Sequence, residues 1–296
     1  MSLIERAIAS LDRNRTVLIA GPTASGKSTL AMAIAAKFGW PVVNADALQV
    51  YSDWRVVTAR PTEQDETTVP HHLYGHIAGS QSYSVGDWLR QIEPILLAQK
   101  CVVVGGTGLY FSALTEGLAD IPTPSADVRT SSEARLATAG LAGLLEDLDP
   151  KTRARIDTVN PRRVQRAWEV MEATGRGLAD WQDSTGPAVL PLEQTQPLVL
   201  SASKDWLTPR IETRFEAMME SGALDEARKN APSWHPDLPS AKAIGAAELI
   251  AYVQGRANLE VVREAVTIQT RQYAKRQRSW FRARMQDWHW IDAAQP

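Results

Sequence analysis

LIAGPTASGKSTLAMAIAA, residues 18–36, passes from an apolar run through a glycine-bounded loop into an alanine-rich helical pattern. Gly21, Gly26, Lys27 and Ser28 stand at the spacing of a phosphate-binding loop, with Pro22, Thr23, Ala24 and Ser25 between the glycines and Thr29 in the helix that follows. Such a loop turns backbone N–H groups toward phosphate oxygens, and the helix N-terminus adds positive potential. A lysine then reaches the distal phosphate, and a serine hydroxyl can ligate Mg²⁺. The spacing predicts a bound phosphate carrier but not its identity.

Working outward, three further β-branched runs read as buried parallel strands: WPVVNAD (40–46), CVVVGG (101–106) and PLVLSAS (197–203). Each ends in a polar or glycine-rich turn, and helical patterns follow most of them. That alternation predicts an α/β fold, a doubly wound parallel sheet of the P-loop type, whose ligands gather beyond the carboxyl ends of the strands. Between residues 122 and 196 the β signal gives way to short helices broken by Pro and Gly, so an inserted helical lobe is expected there. The core would be split into 1–121 and 197–296. In the lobe, Asn160 caps a helix with Pro161 in its first turn and Val164, Trp168 and Met171 inside, stopping near Gly175. A second such pattern, TPRIETRFEAMMESG, predicts a helix capped by Thr208, begun by Pro209 and ended by Gly222, with Arg210 and Arg214 on one side.

Composition is that of a globular chain: 296 residues, 44% hydrophobic, 22% charged, net charge −2. Glu5, Arg6 and Asp12 interrupt the first apolar segment, and no run reaches membrane-spanning length, so no membrane association and a cytoplasmic location are expected. Cys101, the single cysteine, lies in a strand run and is expected to be buried and reduced. The charge is unevenly distributed. Between Arg263 and Arg284 there are seven basic residues and one acid, Glu264. On a helical wheel Val266, Tyr273 and Trp280 form one stripe, while Arg271, Lys275, Arg278 and Arg282 lie on the other side. That ridge is either a solvated face or a nucleic-acid backbone contact, and the shortage of acidic partners favours the second.

Two other stretches carry candidate chemistry. Asp46 follows a strand in NADALQVY, where a carboxylate can ligate metal, take a proton or cap a helix. Gly105, Gly106, Thr107 and Gly108 end another strand, where a nucleotide hydrolase would place an acidic Mg²⁺ ligand; they read as a plain turn or as a second functional loop. His71, His72 and His76 lack a further ligand, and no zinc site is expected.

Taken in order, GPTASGKS, NADALQVY, VGGTGLYF and TRQYAKRQRSWFR resemble the tRNA dimethylallyltransferase (tRNA isopentenyltransferase) family. The likeness continues through DIPTPSADVR, VNPRRVQRAWEV, RIETRF, GALDEAR and LPSAKAIGAAEL, nearly the whole chain. The resemblance implies transfer of the dimethylallyl group from dimethylallyl diphosphate to the exocyclic amine of the adenosine 3′ to a tRNA anticodon, with release of pyrophosphate. It implies that Lys27, Arg214, Arg210, the backbone of the 21–29 loop and Mg²⁺ on Ser28 hold the diphosphate. Thr107 would meet the bridging oxygen and Asp46 would take the proton from the amine. It also implies that Asp46, Ala47, Leu48 and Gln49 hold the flipped base, and that Thr107, Arg129, Gln165 and Arg166 meet the tRNA. Lys242 and Gly245 would join them, as would Arg271, Lys275, Arg276, Gln277, Arg278, Trp280 and Arg282 of the last helix.

Two positions depart from the family pattern. Ala47 replaces the usual Ser, removing a hydroxyl near the base, and Arg60 replaces the usual Lys in VTARP, keeping charge but changing geometry. A monomer is expected. The rival readings are an ATP-dependent kinase on the same loop and prenylation of free adenine nucleotides, which the basic helix weighs against.

Overall fold

The computed structural model describes residues 3–295. One compact unit is built from the chain up to Thr115 and from Val189 onward; the other is Glu116–Ala188. The first unit holds a six-stranded sheet, all of it parallel: β1 (Thr16–Ala20), β2 (Val42–Asn44), β3 (His71–His72), β4 (Val102–Gly105), β5 (Thr195–Ser201) and β6 (His289–Asp292). Their spatial order is β3-β2-β4-β1-β5-β6. From β1 the chain moves outward past β4 to β2, and from β4 it crosses to the far side at β5. The carboxyl ends of β1 and β4 therefore flank the point where the strand order reverses, where a doubly wound sheet leaves a crevice for ligand.

Burial explains which strands were visible. β1 and β4 are covered on both faces, with every residue of each buried, so they read as continuous apolar runs. The strands β3 and β6 escaped the sequence reading because they are short, half-exposed edges, HH and HWID, without an apolar run. The helices of this unit are α1 (Leu3–Ala9), α2 (Lys27–Phe38), α3 (Glu63–Thr68), α4 (Val85–Ala98) and α5 (Gly108–Glu116) before the second unit. In that second unit lie α6 (Ala126–Glu146), α7 (Pro150–Arg155), α8 (Pro161–Thr174) and α9 (Leu178–Asp183), and the first unit resumes with α10 (Lys204–Glu220), α11 (Ala223–Asn230), α12 (Ala246–Val253) and α13 (Leu259–Arg284).

The helix α8 follows its sequence signals: Asn160 accepts from Arg163 N, Pro161 opens the first turn, and Gly175 stops it at φ 65°. Val164, Ala167 and Trp168 pack against Leu144 and Leu148 to form the core of the second unit. The expected start of α10 is corrected. Ser203, not Thr208, is its cap, with Oγ accepting from Trp206 N at 3.1 Å. Pro209 lies inside the helix, and Thr208 Oγ1 donates to Lys204 O. A proline opens a helix most comfortably, but here Leu207 and Ile211 are buried on either side of it, and their packing carries the helix through a position that lacks one backbone donor. The second unit runs Glu116–Ala188, and β5 starts at Thr195, ahead of the apolar run PLVLSAS, pairing with β1 from its first residue.

Cys101 is buried, and burial pushes its thiol up to about 12, so it is held as the inert thiol. No helix among the described residues is long and apolar enough to cross a membrane.

Candidate active site

The loop between β1 and α2 bends through two left-handed residues, Ala24 (φ 63°) and Gly26 (φ 87°), the second standing directly before Lys27. Lys27 Nζ is 3.4 Å from Pro22 O, folded back over the loop. Burial lowers its pKa to about 8; Asp46 opposes that shift and Arg214 adds to it. Arg214 is likewise lowered, first by burial, against the pull of Asp46. Two buried cations share one carboxylate, an arrangement short of negative charge that an anionic ligand would complete.

One cleft gathers these groups. Lys27, Ser28, Asp46 and Arg214 form its polar end, while Ile211, Phe215, Met218, Ile244 and Val266 form an apolar wall. A second hollow shares Lys27, Ser28 and Arg214 with it and adds Thr29 and Arg210. Arg214 thus stands between the two hollows. Arg210 is exposed; its Nε donates to Ala24 O at 3.0 Å and its guanidinium stacks 4.3 Å above Trp206. The same helix face presents both arginines, but only Arg214 enters the main cleft.

Asp46 is set by its neighbours. Asn44, fully buried, accepts Asp46 N–H at 2.8 Å and donates to the carbonyls of Asp46 and Leu73. Asp46 Oδ1 accepts from Leu48 N at 3.0 Å, a local turn rather than a helix cap. Ala47 N donates to Thr107 Oγ1 at 2.9 Å, and Thr107 N donates to Ala45 O, so the loops after β2 and β4 are bound to each other. Thr107 does not line the cleft itself; its hydroxyl accepts from Ala47 N and faces the Tyr273 phenol. Gln49 lines the cleft, and its amide donates to the carbonyls of Thr58 and Ala59. Those carbonyls belong to a turn whose N–H groups at Arg55, Val56 and Val57 are all accepted by the Glu226 carboxylate. Arg60, the second departure, donates to Tyr51 O at 2.7 Å and lies against Gly75.

The glycines at the end of β4 and in the loop that follows leave room for close neighbours. A Cβ at Gly105 would come within 2.0 Å of Ala45 O, one at Gly106 within 2.1 Å of Gln277 Nε2, and one at Gly108 within 2.1 Å of the Trp280 ring. Two residues of α13 that the family likeness gave to the tRNA are placed otherwise. Gln277 is buried between the loops, and Trp280 is packed on Gly108. Gly245 is also buried, at φ 95°, where a Cβ would come within 3.3 Å of the Val266 side chain. Lys275, Arg276 and Arg282 are exposed, and Arg278 is half-buried. The expected lack of acidic partners is corrected in part, since Arg263 pairs with Glu216 at 2.9 Å and Arg271 with Glu212, both on α10. Acids one helix away in space were invisible to a count along α13.

Lys242 is exposed ahead of α12. In the second unit Arg129 and Arg166 are exposed, and Gln165 donates to Ser132 Oγ at 2.9 Å. The sequence reading missed Asn44, Tyr273 and Glu226. The stripe of Val266, Tyr273 and Trp280 was legible on one helix, but Gln277 beside it and the loops they reach were not.

Ser28 lines both hollows. Among the described residues no group of three or more His, Cys, Asp or Glu is placed to hold a metal. A cation here would draw its other ligands from phosphate and water, the oxygen-rich, partly hydrated coordination that suits Mg²⁺.

Comparison with known proteins gives consistent matches. A family model described as IPP transferase matches residues 49–284, and one described as isopentenyl transferase matches residues 14–72. The chain is 55% identical to a tRNA dimethylallyltransferase of Dinoroseobacter shibae, covering 95% of this chain and 96% of the relative. It is 56% identical to one from a Jannaschia species, with 95% and 97% covered. Among solved structures, a tRNA isopentenylpyrophosphate transferase of Bacillus halodurans superposes with a TM-score of 0.65 at 32% identity, covering 95% of this chain and 90% of that one. A eukaryotic dimethylallyltransferase described as acting on tRNA gives 0.73 at 26% identity, covering 94% and 73%.

Proposed function

The chain belongs to the IPP transferase family, and from that membership we propose that it transfers the dimethylallyl group of dimethylallyl diphosphate to the exocyclic amine of the adenosine 3′ to the tRNA anticodon, releasing pyrophosphate. It is a tRNA-modifying prenyltransferase. The observation that carries the reading is the make-up of the cleft: Lys27, Arg214 and the Asp46 carboxylate beside the phosphate loop, and in the same lining an apolar wall of Phe215, Met218, Ile244 and Val266.

The chemistry follows from that division. The allylic carbon–oxygen bond breaks, its electron pair leaves on the diphosphate, and the amine nitrogen forms the new bond to carbon and loses a proton. Lys27, Arg214 and the loop amides oppose charge growing on the leaving group. Ser28 would hold Mg²⁺, which when bound supplies further neutralisation of that charge. Asp46, kept in place by Asn44 and Leu48 N, orients the amine and accepts its proton. Thr107 accepts from Ala47 N, which ties the loop after β4 to Asp46; by the family likeness its hydroxyl would meet the bridging oxygen. The target base must leave its stack to reach such a cleft, and an anticodon loop gives up a base more readily than a duplex. Lys275, Arg276, Arg278 and Arg282 offer phosphate contacts on α13, with Lys242, Arg129 and Arg166 as further ones.

Mass spectrometry of unmodified tRNA incubated with the protein, dimethylallyl diphosphate and Mg²⁺, without ATP, tests this. A five-carbon gain on the anticodon-adjacent adenosine is expected. ATP consumption with no gain on tRNA would return the chain to the kinase reading.

A further inference from the structure

Helix α13 meets the loop after β4 at three points along one stripe. The Tyr273 phenol faces Thr107 and Gln277. Gln277 Nε2 donates to Gly106 O at 2.9 Å. The Trp280 ring covers Gly108. Gln277 alone also reaches the other loop, where its Oε1 accepts the Thr23 N–H at 2.8 Å. Its side chain is 5% exposed and is carried by a 26-residue helix.

We propose that Gln277 is a positioning residue for prenyl transfer: its buried amide fastens the phosphate loop at Thr23 to the Gly-Gly-Thr-Gly loop at Gly106, fixing the diphosphate cradle relative to Thr107 and Asp46 without touching RNA. The reaction it serves is the one inferred in the preceding subsection; the bridge itself is independent of that reading. A carboxamide is suited to the place because it is neutral and offers an acceptor and a donor side by side. Its orientation is forced, since the Thr23 N–H can only donate and the Gly106 carbonyl can only accept. Room for it exists because residue 106 has no side chain: a Cβ would lie 2.1 Å from Nε2. The Thr23 amide, engaged by Gln277, is also withdrawn from the set that can face phosphate, leaving the later amides of the loop to do so. Resemblance alone would give Gln277 to the RNA along with its neighbours. The direction of its side chain gives it to the two loops.

The test uses Q277M, close in length but without either hydrogen bond, and Q277E, assayed with tRNA, dimethylallyl diphosphate and Mg²⁺. Loosening reacting groups by a fraction of an ångström to one ångström lowers turnover steeply, so kcat should fall about 10- to 100-fold in both variants while tRNA Kd stays within about twofold. Lowering pH from about 8 to about 6 should restore Q277E relative to wild type and leave the Q277M ratio flat. A protonated carboxyl accepts and donates as the amide does, whereas a carboxylate has nothing to give the Gly106 carbonyl, and burial raises its pKa into that range. Unchanged kcat in both variants would overturn the proposal. So would a fall in tRNA affinity as large as the fall in kcat/KM, or a Q277E ratio indifferent to pH.

If neither variant folds, hydrogen exchange on the wild-type protein without diphosphate decides the matter. The Thr23 amide should be as protected as those of β1, and exchange at an open-loop rate would overturn the bridge. Failure of the wild type to prenylate tRNA would count against the reaction, while Thr23 protection still reports on the bridge.

Discussion

Asp46 and Lys27 are best understood together. The ammonium of Lys27 is buried, and the Asp46 carboxylate is the main influence keeping it protonated. With a pKa near 8 in the free protein, Lys27 is cationic below that pH and loses its charge above it. A diphosphate binds the cationic form, so above pH 8 binding must take up a proton. Affinity for inorganic pyrophosphate should therefore fall as pH rises past 8, by up to about tenfold per unit, and calorimetry across that range would show it. The K27R variant, whose charge does not titrate there, should be flat; an equally steep wild type and variant would assign the dependence to the ligand. Asp46→Asn acts twice, removing the proton acceptor and the partner of Lys27. Turnover should drop by about two to four orders of magnitude, with tRNA affinity largely kept. Single-turnover kinetics showing a rate within a few-fold of wild type would remove Asp46 from the chemistry.

At the scale of the element, α13 has two working sides. Its inner stripe, Val266, Tyr273, Gln277 and Trp280, supports the cleft and the loops, while Lys275, Arg276 and Arg282 are exposed. The inner stripe was partly legible, because a 3.6-residue period in apolar residues marks a packed side. The polar glutamine within it was not, since nothing in a helical wheel separates an amide that bridges two buried loops from one that faces water. Replacing Lys275 and Arg278 by Ala should weaken tRNA binding and flatten its dependence on salt, by about one unit of log–log slope for each phosphate no longer neutralised. Filter binding at several salt concentrations measures both, and an unchanged slope would make the ridge a solvated face. Arg271 is a poorer choice for such a test because Glu212 already neutralises it.

At the scale of the whole molecule, the insertion of Glu116–Ala188 into the α/β unit leaves its two ends hydrogen-bonded together, with Leu190 N donating to Leu114 O at 3.0 Å. The sheet unit is continuous across that junction. A chain in which a short glycine linker replaces 116–188 should still unfold cooperatively and gain thermal stability from pyrophosphate, while losing tRNA modification. A broad, ligand-insensitive melt would show that the sheet unit depends on the insertion. The inserted segment was visible as a loss of β pattern, though its limits were not, since the 3₁₀ turn Leu192–Gln194 and the first residues of β5 lack the apolar run that marks a central strand.

By itself the sequence determined the parallel sheet, the phosphate loop, the cap and stop of α8 and the family, because each depends on local spacing: consecutive apolar residues for a doubly covered strand, fixed glycines for a tight loop, ordered motifs for kinship. Only the tertiary structure decided which groups meet. It put Asp46 opposite Lys27 and Arg214, committed Glu212 and Glu216 to the basic helix, gave Glu226 three backbone amides to hold, and turned Gln277 inward between two loops. Those contacts join residues far apart in the chain, and their energies depend on burial and direction, which no pattern along the sequence records.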